Sequence, residues 1–162
     1  MIMRTFLVSL FAAVVVTSQA LAASAADQLP GSWRLVSLQS IVEGEEATPR
    51  QPFGPTPFGR LVITPDHHMM AYIAKPDRKP PADAAEAAAL LSSMIAYTGA
   101  FEIDGDRFTT TVDGAWTEVF KSQKQVRYFT VEGDKLTIRT GGETGVIPGK
   151  KTVGVLIWQR EH

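Results

Sequence analysis

Apolar and polar residues alternate with a period of two along most of the chain after residue 31. This alternation predicts β-strands that bury one face and expose the other. The first run is long and rich in β-branched and aromatic residues, and shorter runs follow it. The predicted strands cover residues 32–42, 60–64, 68–74, 97–103, 107–112, 125–131, 135–140 and 152–160.

The segments between the predicted strands are mostly short and favour turns. Asp104-Gly105 and Glu132-Gly133-Asp134 separate consecutive strands, and Pro65-Asp66-His67 connects the second strand to the third. Segments of this kind are typical of antiparallel hairpins. The segment 48–59 differs, because it contains four prolines and repeats Pro-Phe-Gly at 52–54 and 57–59. Proline cannot donate to a sheet interior, so this segment predicts an ordered loop.

One segment has helical periodicity instead of alternation. Its alanine, leucine and methionine residues recur at spacings of three and four, and Asp83 precedes them as a helix cap. The pattern predicts one short amphipathic helix over residues 83–96. Two positions for this helix remain open: across a mouth of the fold as a lid, or against the outside of the sheet.

Eight antiparallel strands joined mainly by tight turns must protect their edges, and a closed barrel removes the edges altogether. We therefore expect an all-β chain that forms an eight-stranded antiparallel β-barrel, with one short helix between strands 3 and 4. A sandwich of two sheets is the alternative. The interior of such a barrel is either filled by side chains or just wide enough for one small ligand.

The first 22 residues differ in composition from the rest of the chain. Arg4 precedes an apolar stretch over residues 6–16, and a run of small residues follows it. This pattern is typical of a cleaved secretory signal peptide, and the stretch is shorter than the roughly 20 residues of a membrane span. We expect cleavage after Ala22, with Ala25 as the alternative, a barrel domain over residues 29–162, no stable membrane anchor, and a periplasmic or secreted protein.

Composition narrows the classes of function. The chain has no cysteine, so an exported domain must rely on packing, and its formal net charge of −1 predicts no basic patch for nucleic acid. It contains no G-x-S-x-G or H-E-x-x-H motif, and we expect no cofactor. His67 and His68 are adjacent, so they point to opposite faces of a strand and predict no metal site.

Several segments resemble a known family. Gly31-Ser32-Trp33 at the start of the first strand and Arg160 at the end of the last are similar to the lipocalin pattern. More specifically, the chain resembles the bacterial and fungal lipocalin-like domain family. The matching segments are 31–37, 57–61, 64–66, 97–99, 127–129, 132–136 and 158–160.

The resemblance implies a lipocalin-like barrel with structural roles for Gly31, Trp33 and Arg160. In that pattern the tryptophan closes one barrel end and the arginine lies across its indole, an arrangement that contributes roughly 0.5–2 kcal/mol. The chain departs from its relatives at two positions. His67 replaces a usual turn glycine, which predicts a different turn geometry or a strained residue. A threonine at or near position 110 replaces a frequent histidine.

Arg127 is the most informative candidate for a binding site. In a regular strand it shares a face with Gln125 and Phe129, and that face is the interior one. A charged group inside a barrel needs a partner, so we expect a clamp for a carboxylate or another oxygen-bearing head group. The alternatives are an internal ion pair, or a register in which Tyr128 faces inward.

Apart from Arg127 and Gln125, the candidates for the binding site are apolar or aromatic. The candidate ligand-binding residues are Arg127, Gln125, Tyr97, Phe101, Met69, Phe129 and Trp116. Trp116 lies in the long connection 113–124 and is expected at the entrance. Other predicted lining residues are Leu61, Ile63, Ala71, Ile103, Phe108, Leu136 and Ile138.

These observations favour an exported protein that binds a small apolar or amphipathic molecule inside the barrel. The resemblance also permits a cofactor-independent cyclase or isomerase, with Arg127 and Tyr97 as the acting residues, although the missing histidine counts against an enzyme. A structural envelope protein with a filled barrel is the third reading. The sequence predicts neither the ligand nor the oligomeric state.

Overall fold

The computed structural model describes residues 24–42, 49–121, 123–141 and 151–162. The predicted signal peptide, residues 1–22, lies outside these ranges and stays a prediction.

Eight antiparallel strands form one closed barrel, in which each strand pairs with its neighbours in sequence and the last pairs with the first. This confirms the predicted all-β barrel and excludes the sandwich. One helix lies between the third and fourth strands. The elements are β1 (Gly31–Val42), β2 (Phe58–Ile63), β3 (His68–Ala74), α1 (Ala84–Ser92), β4 (Met94–Asp104), β5 (Arg107–Ala115), β6 (Lys124–Glu132), β7 (Lys135–Thr140) and β8 (Thr152–Glu161).

The helix is shorter than its sequence pattern predicts. Asp83 caps it as expected, because its carboxylate accepts a hydrogen bond from the Glu86 backbone N–H at 2.8 Å. The prediction that it extends to residue 96 is wrong: Met94 and Ile95 begin β4, where Ile95 pairs with Ile73 of β3. Strand pairing outweighs helical periodicity at these two positions. None of the residues of α1 is buried, so the helix adds nothing to the core.

A bulge in β1 sets which of its residues face the interior. Trp33 and Leu35 are buried before it, Leu38 and Ser40 are buried after it, and Val36 is exposed at the irregularity. A bulge adds one residue and bends the strand. The pairing of β1 with β2 is recorded only up to Arg34↔Arg60, whereas its pairing with β8 continues to Val42↔Thr152.

One end of the barrel is closed by Trp33 and Arg160. The Trp33 indole N–H donates to the Leu29 carbonyl at 3.0 Å, and the Arg160 guanidinium lies 4.0 Å from the centre of the indole ring. Arg160 also donates to the carbonyls of Pro30 and Gln28. Gly31 has a φ of 145°, and a Cβ atom there would lie 2.5 Å from Arg160 Nη1. This φ favours glycine, and a larger residue would also displace the guanidinium from its position over the indole. We call this the closed end, and the opposite end the loop end.

The β2–β3 turn contains a residue in the left-handed region, as the replacement of glycine by histidine predicts. His67 has a φ of 63°, its carbonyl accepts from the Phe101 N–H at 2.8 Å, and its ring stacks on Phe101 at 5.2 Å. Hydrogen bonding with Thr64 lowers the pKa of the exposed Asp66 carboxyl, and His68 adds to the shift. The left-handed conformation costs a residue other than glycine about 1–2 kcal/mol. The stacking of the His67 ring on Phe101 offsets part of this cost.

Within the described ranges, no helix has both the length and the apolar character needed to cross a bilayer.

Replacing Arg160 with alanine is expected to lower the free energy of unfolding by about 2–3 kcal/mol, because the indole contact and two charge-assisted hydrogen bonds are lost. Urea denaturation measures the change. Arg139→Ala is the matched control, since Arg139 is exposed on β7, and it is expected to change stability by no more than about 0.5 kcal/mol. Equal stability of the two variants would show that the closed end does not depend on the arginine.

Candidate functional site

The predicted lining residues all face the barrel interior. Each is buried in the structure except Ile103, which is partly buried against the same core. Met69, Phe101 and Phe129 belong to a continuous hydrophobic cluster, in which the Phe108 ring lies 5.5 Å from Phe101 and 5.8 Å from Phe129. These side chains therefore contact one another as core residues.

Polar side chains form a band along one side of the interior. Thr110 of β5 pairs with Gln125 of β6, and Arg127 of β6 pairs with Thr140 of β7. On β8 and β1 the band continues through Thr152 and Ser40. We call this set the polar band: Ser40, Thr110, Gln125, Arg127, Thr140 and Thr152. It occupies β1 and β5 to β8, whereas the inward residues of β2 to β4 are apolar.

Arg127 lies inside the barrel. Its residue surface is 8% exposed and that of Gln125 is 1% exposed, whereas Tyr128 is 43% exposed. The alternative register with Tyr128 facing inward is therefore excluded. The alternation of polar and apolar residues along β6 predicted this inward direction of Arg127, and the structure agrees with it.

The Arg127 guanidinium is held by neutral groups. Nη1 donates to the Val126 carbonyl at 2.8 Å and Nη2 donates to Gln125 Oε1 at 2.9 Å. The Gln125 amide N–H in turn donates to Gln123 Oε1 at 3.2 Å. Arg127 is the one charged residue among the buried side chains of the described ranges, and no carboxylate there pairs with it. An internal ion pair is thus absent from the part of the protein that the structure describes.

Three hydroxyls of the polar band are buried without a hydrogen-bond partner among the described residues. They are Ser40 Oγ, Thr110 Oγ1 and Thr152 Oγ1. Thr140 differs, because its hydroxyl oxygen accepts from the Gly154 N–H at 2.8 Å. A buried hydroxyl that loses water and gains no partner costs about 1–3 kcal/mol. The band therefore presents a cation and unused donor and acceptor capacity to the interior.

Aromatic rings pack at the loop end. Trp116 is half-buried, with its ring 4.7 Å from Phe120, and Phe120 lies 5.3 Å from Tyr97. Phe53 is buried in the core, and its loop is joined to β1 by hydrogen bonds between the backbones of Arg50 and Ser40. Sequence reasoning missed Phe53 and Phe120, because neither belongs to an alternating strand.

The structure separates the predicted site residues into three groups. Arg127 and Gln125 contact each other in the polar band, whereas Tyr97 and Trp116 belong to the aromatic group at the loop end. Met69, Phe101 and Phe129 belong to the packed core. No hydrogen bond joins Tyr97 to Arg127, the pair expected to act together in a cyclase or isomerase. No group of three or more His, Cys, Asp or Glu within the described ranges is arranged to hold a metal ion.

One cleft opens on the outer surface of the barrel. Its volume is about 560 Å³, and residues of β1, β2, β3 and the segment 74–78 line it. The near-neutral net charge predicted no basic patch, yet four cationic side chains converge on this cleft. They come from β1, β2 and the segment after β3, so no single stretch of the sequence contains all four.

The closed barrel and the Trp33–Arg160 contact are what the family resemblance implies, and a comparison with family models agrees with it. The model of the lipocalin-like domain matches residues 30–161. The chain belongs to the lipocalin-like domain family. This confirms the resemblance, and for a lipocalin-like barrel it indicates small-molecule binding in general. No curated protein matches the chain.

Replacing Thr110 with valine is expected to stabilise the ligand-free lipocalin-like barrel by about 1 kcal/mol, because a buried hydroxyl without a partner is removed at nearly constant volume. Thr98→Val is the matched control, since the Thr98 hydroxyl donates to the Met69 carbonyl at 2.9 Å. That variant is expected to lose about 1 kcal/mol. Thermal and urea denaturation measure both changes, and a loss of stability in Thr110→Val would show that its hydroxyl is satisfied.

Proposed function

We propose that this lipocalin-like protein binds a small amphipathic molecule inside the barrel, with a carboxylate or another oxygen-bearing head group at Arg127. The observation that carries the proposal is the buried guanidinium of Arg127, which has only neutral hydrogen-bond partners in the described structure. An uncompensated buried charge is costly, and an anionic ligand would supply the missing counter-charge. Arginine suits this role because its planar fork binds carboxylates through two hydrogen bonds.

The hydroxyls of the polar band support the same orientation of ligand. Ser40, Thr110 and Thr152 have no partners within the described ranges, so they are available to the polar end of a bound molecule. The opposing wall, on β2 to β4, offers apolar contacts from Leu61, Ala71 and their neighbours. A molecule with one polar end and an apolar body matches both walls.

Entry from the loop end requires the aromatic rings there to move. Phe120 is the ring best suited to move, because it is only partly buried and lies in the connection between β5 and β6, whereas Phe53 is almost fully buried. We expect the ligand to displace the Phe120 ring from Tyr97 as it enters.

We also infer that the protein is exported, with residues 1–22 removed and the barrel acting in the periplasm or outside the cell. Arg4, the apolar stretch and the small residues before Ala23 support this inference. N-terminal sequencing of the protein made in its own host is expected to give a chain that begins at Ala23, or at Ala26 if the second site is used. A mature chain that still carries Met1 would contradict export by this route.

The binding proposal is tested with dodecanoate as the probe, and with dodecanol as its uncharged counterpart. Isothermal titration calorimetry is expected to show binding of dodecanoate to the wild-type protein. Arg127→Gln is expected to weaken it by about tenfold or more, because a charge-assisted contact is lost. Dodecanol is expected to bind the wild-type and variant proteins equally.

Arg139→Gln provides the control, because it removes the same charge from the outer face of β7. Native mass spectrometry of the protein from its own host then identifies the ligand it carries. Equal dodecanoate affinity in the Arg127→Gln and Arg139→Gln proteins would exclude Arg127 as the anchor, and a protein that binds neither probe and carries no host molecule would overturn the binding function.

A further inference from the structure

The external cleft lies where β1 leaves β2. Beyond Arg34↔Arg60 the pairing of these strands is not continued, and the strand end at Phe58 faces the segment that follows β3. The cleft has a volume of about 560 Å³ and lies next to the bulge in β1. Most of its lining side chains point away from the interior, Leu35 and Ala74 are buried, and none of the lining residues belongs to the polar band.

Cationic side chains outnumber acidic ones along this cleft. Arg34, Arg60, Lys75 and Arg78 line it, and Asp77 is the acidic residue among the lining side chains. These cations come from β1, from β2 and from the segment after β3, and the barrel brings the three parts together. Such a concentration of positive charge attracts anions, although salt screens it because the cleft is open to solvent.

Two of the four cations are engaged by protein groups. Arg60 lies 3.3 Å from a carboxylate oxygen of Glu161, and Arg78 donates to the Tyr72 hydroxyl at 2.9 Å and to the Leu90 carbonyl at 3.0 Å. The contacts recorded for the described residues include no hydrogen bond or ion pair to the side chain of Arg34 or Lys75. These two side chains are available to a ligand without any protein contact being broken.

An aromatic surface adjoins the cations. The Phe58 ring is 49% exposed, lies 5.8 Å from the Tyr72 ring in an edge-to-face arrangement, and has the Arg60 guanidinium 5.3 Å from its centre. Exposed aromatic rings beside arginine offer stacking and apolar contact in addition to charge. The cleft thus combines sites for an anionic group and for a flat apolar body.

We propose that this cleft is a second binding site, for a small molecule that carries a phosphate or carboxylate group on an aromatic or otherwise apolar body. Arg34 and Lys75 bind the anionic group, and Phe58 and Tyr72 contact the body. The anion is either part of a free small molecule or the head group of a membrane lipid, since both present the same chemistry. The site does not depend on ligand binding inside the barrel.

Phenyl phosphate is the probe for this site, with phenol and inorganic phosphate as its separated halves. Titration with phenyl phosphate is expected to shift the amide resonances of residues 34, 58–60, 72, 75, 77 and 78, and either half alone is expected to bind more weakly. Arg34→Gln is expected to weaken phenyl phosphate binding about fivefold to tenfold, because one charge-assisted contact in an open cleft is lost. Arg139→Gln, which removes an arginine from the outer face of β7, is expected to leave the affinity unchanged.

Co-sedimentation with vesicles separates the two sources of the anion. If the ligand is a lipid head group, vesicles that contain phosphatidylglycerol retain the protein, vesicles of phosphatidylcholine do not, and Arg34→Gln reduces the retention. If it is a free molecule, phenyl phosphate binds and neither type of vesicle retains the protein. The proposal is overturned if neither phenyl phosphate nor vesicles of phosphatidylglycerol bind, or if the amide shifts fall on β5 and β6 instead. It is also overturned if the Arg34→Gln and Arg139→Gln proteins bind phenyl phosphate equally.

Discussion

The pairing of β1 with β8 is the interaction on which the rest of this structure depends. It extends from Ser32↔Glu161 to Val42↔Thr152 and turns an eight-stranded meander into a closed barrel. Arg160 reinforces the closure, because the same side chain covers the Trp33 indole and binds the carbonyls of the segment before β1. Closure pairs every strand of the described ranges with a neighbour on each side, although β1 is paired with β2 over only its first four residues.

Closure also gives the protein an inside with two chemically different walls. All eight strands contribute to the apolar core, but only β1 and β5 to β8 add Arg127 and three hydroxyls that have no partner among the described residues. A barrel selected for packing alone would gain stability from apolar residues at these positions. The proposed ligand with a polar end would supply partners for this cation and these hydroxyls.

The bulge in β1 links the interior to the outer surface. It keeps Leu38 and Ser40 facing inward after an extra residue, and it coincides with the point where β1 departs from β2. The cationic cleft occupies that point of departure. The change of inward-facing residues in β1 and the external cleft therefore lie at the same place in the fold.

Much of this fold could be predicted from the sequence, because alternation directly reports which residues face inward. The bounds of β3 and β7 and the inward direction of Arg127 follow from it. Features that depend on contacts between distant segments could not be predicted. Met94 and Ile95 fit helical spacing but pair with β3, and the Pro-Phe-Gly repeats look alike although Phe53 is buried and Phe58 is exposed. The convergence of four cationic side chains on the external cleft also depends on how the strands are arranged, so it could not be predicted either.

The proposed function depends on contact between the Arg127 guanidinium and the head group of a bound ligand. The most direct measurement is the NMR resonance of the Arg127 side-chain Nε–Hε group during titration with dodecanoate, and separately with dodecanol. We expect dodecanoate to cause a large shift of this resonance and slower exchange of its hydrogen. We expect no comparable change with dodecanol. An Arg127 resonance that stays unchanged while dodecanoate binds would contradict the proposed contact.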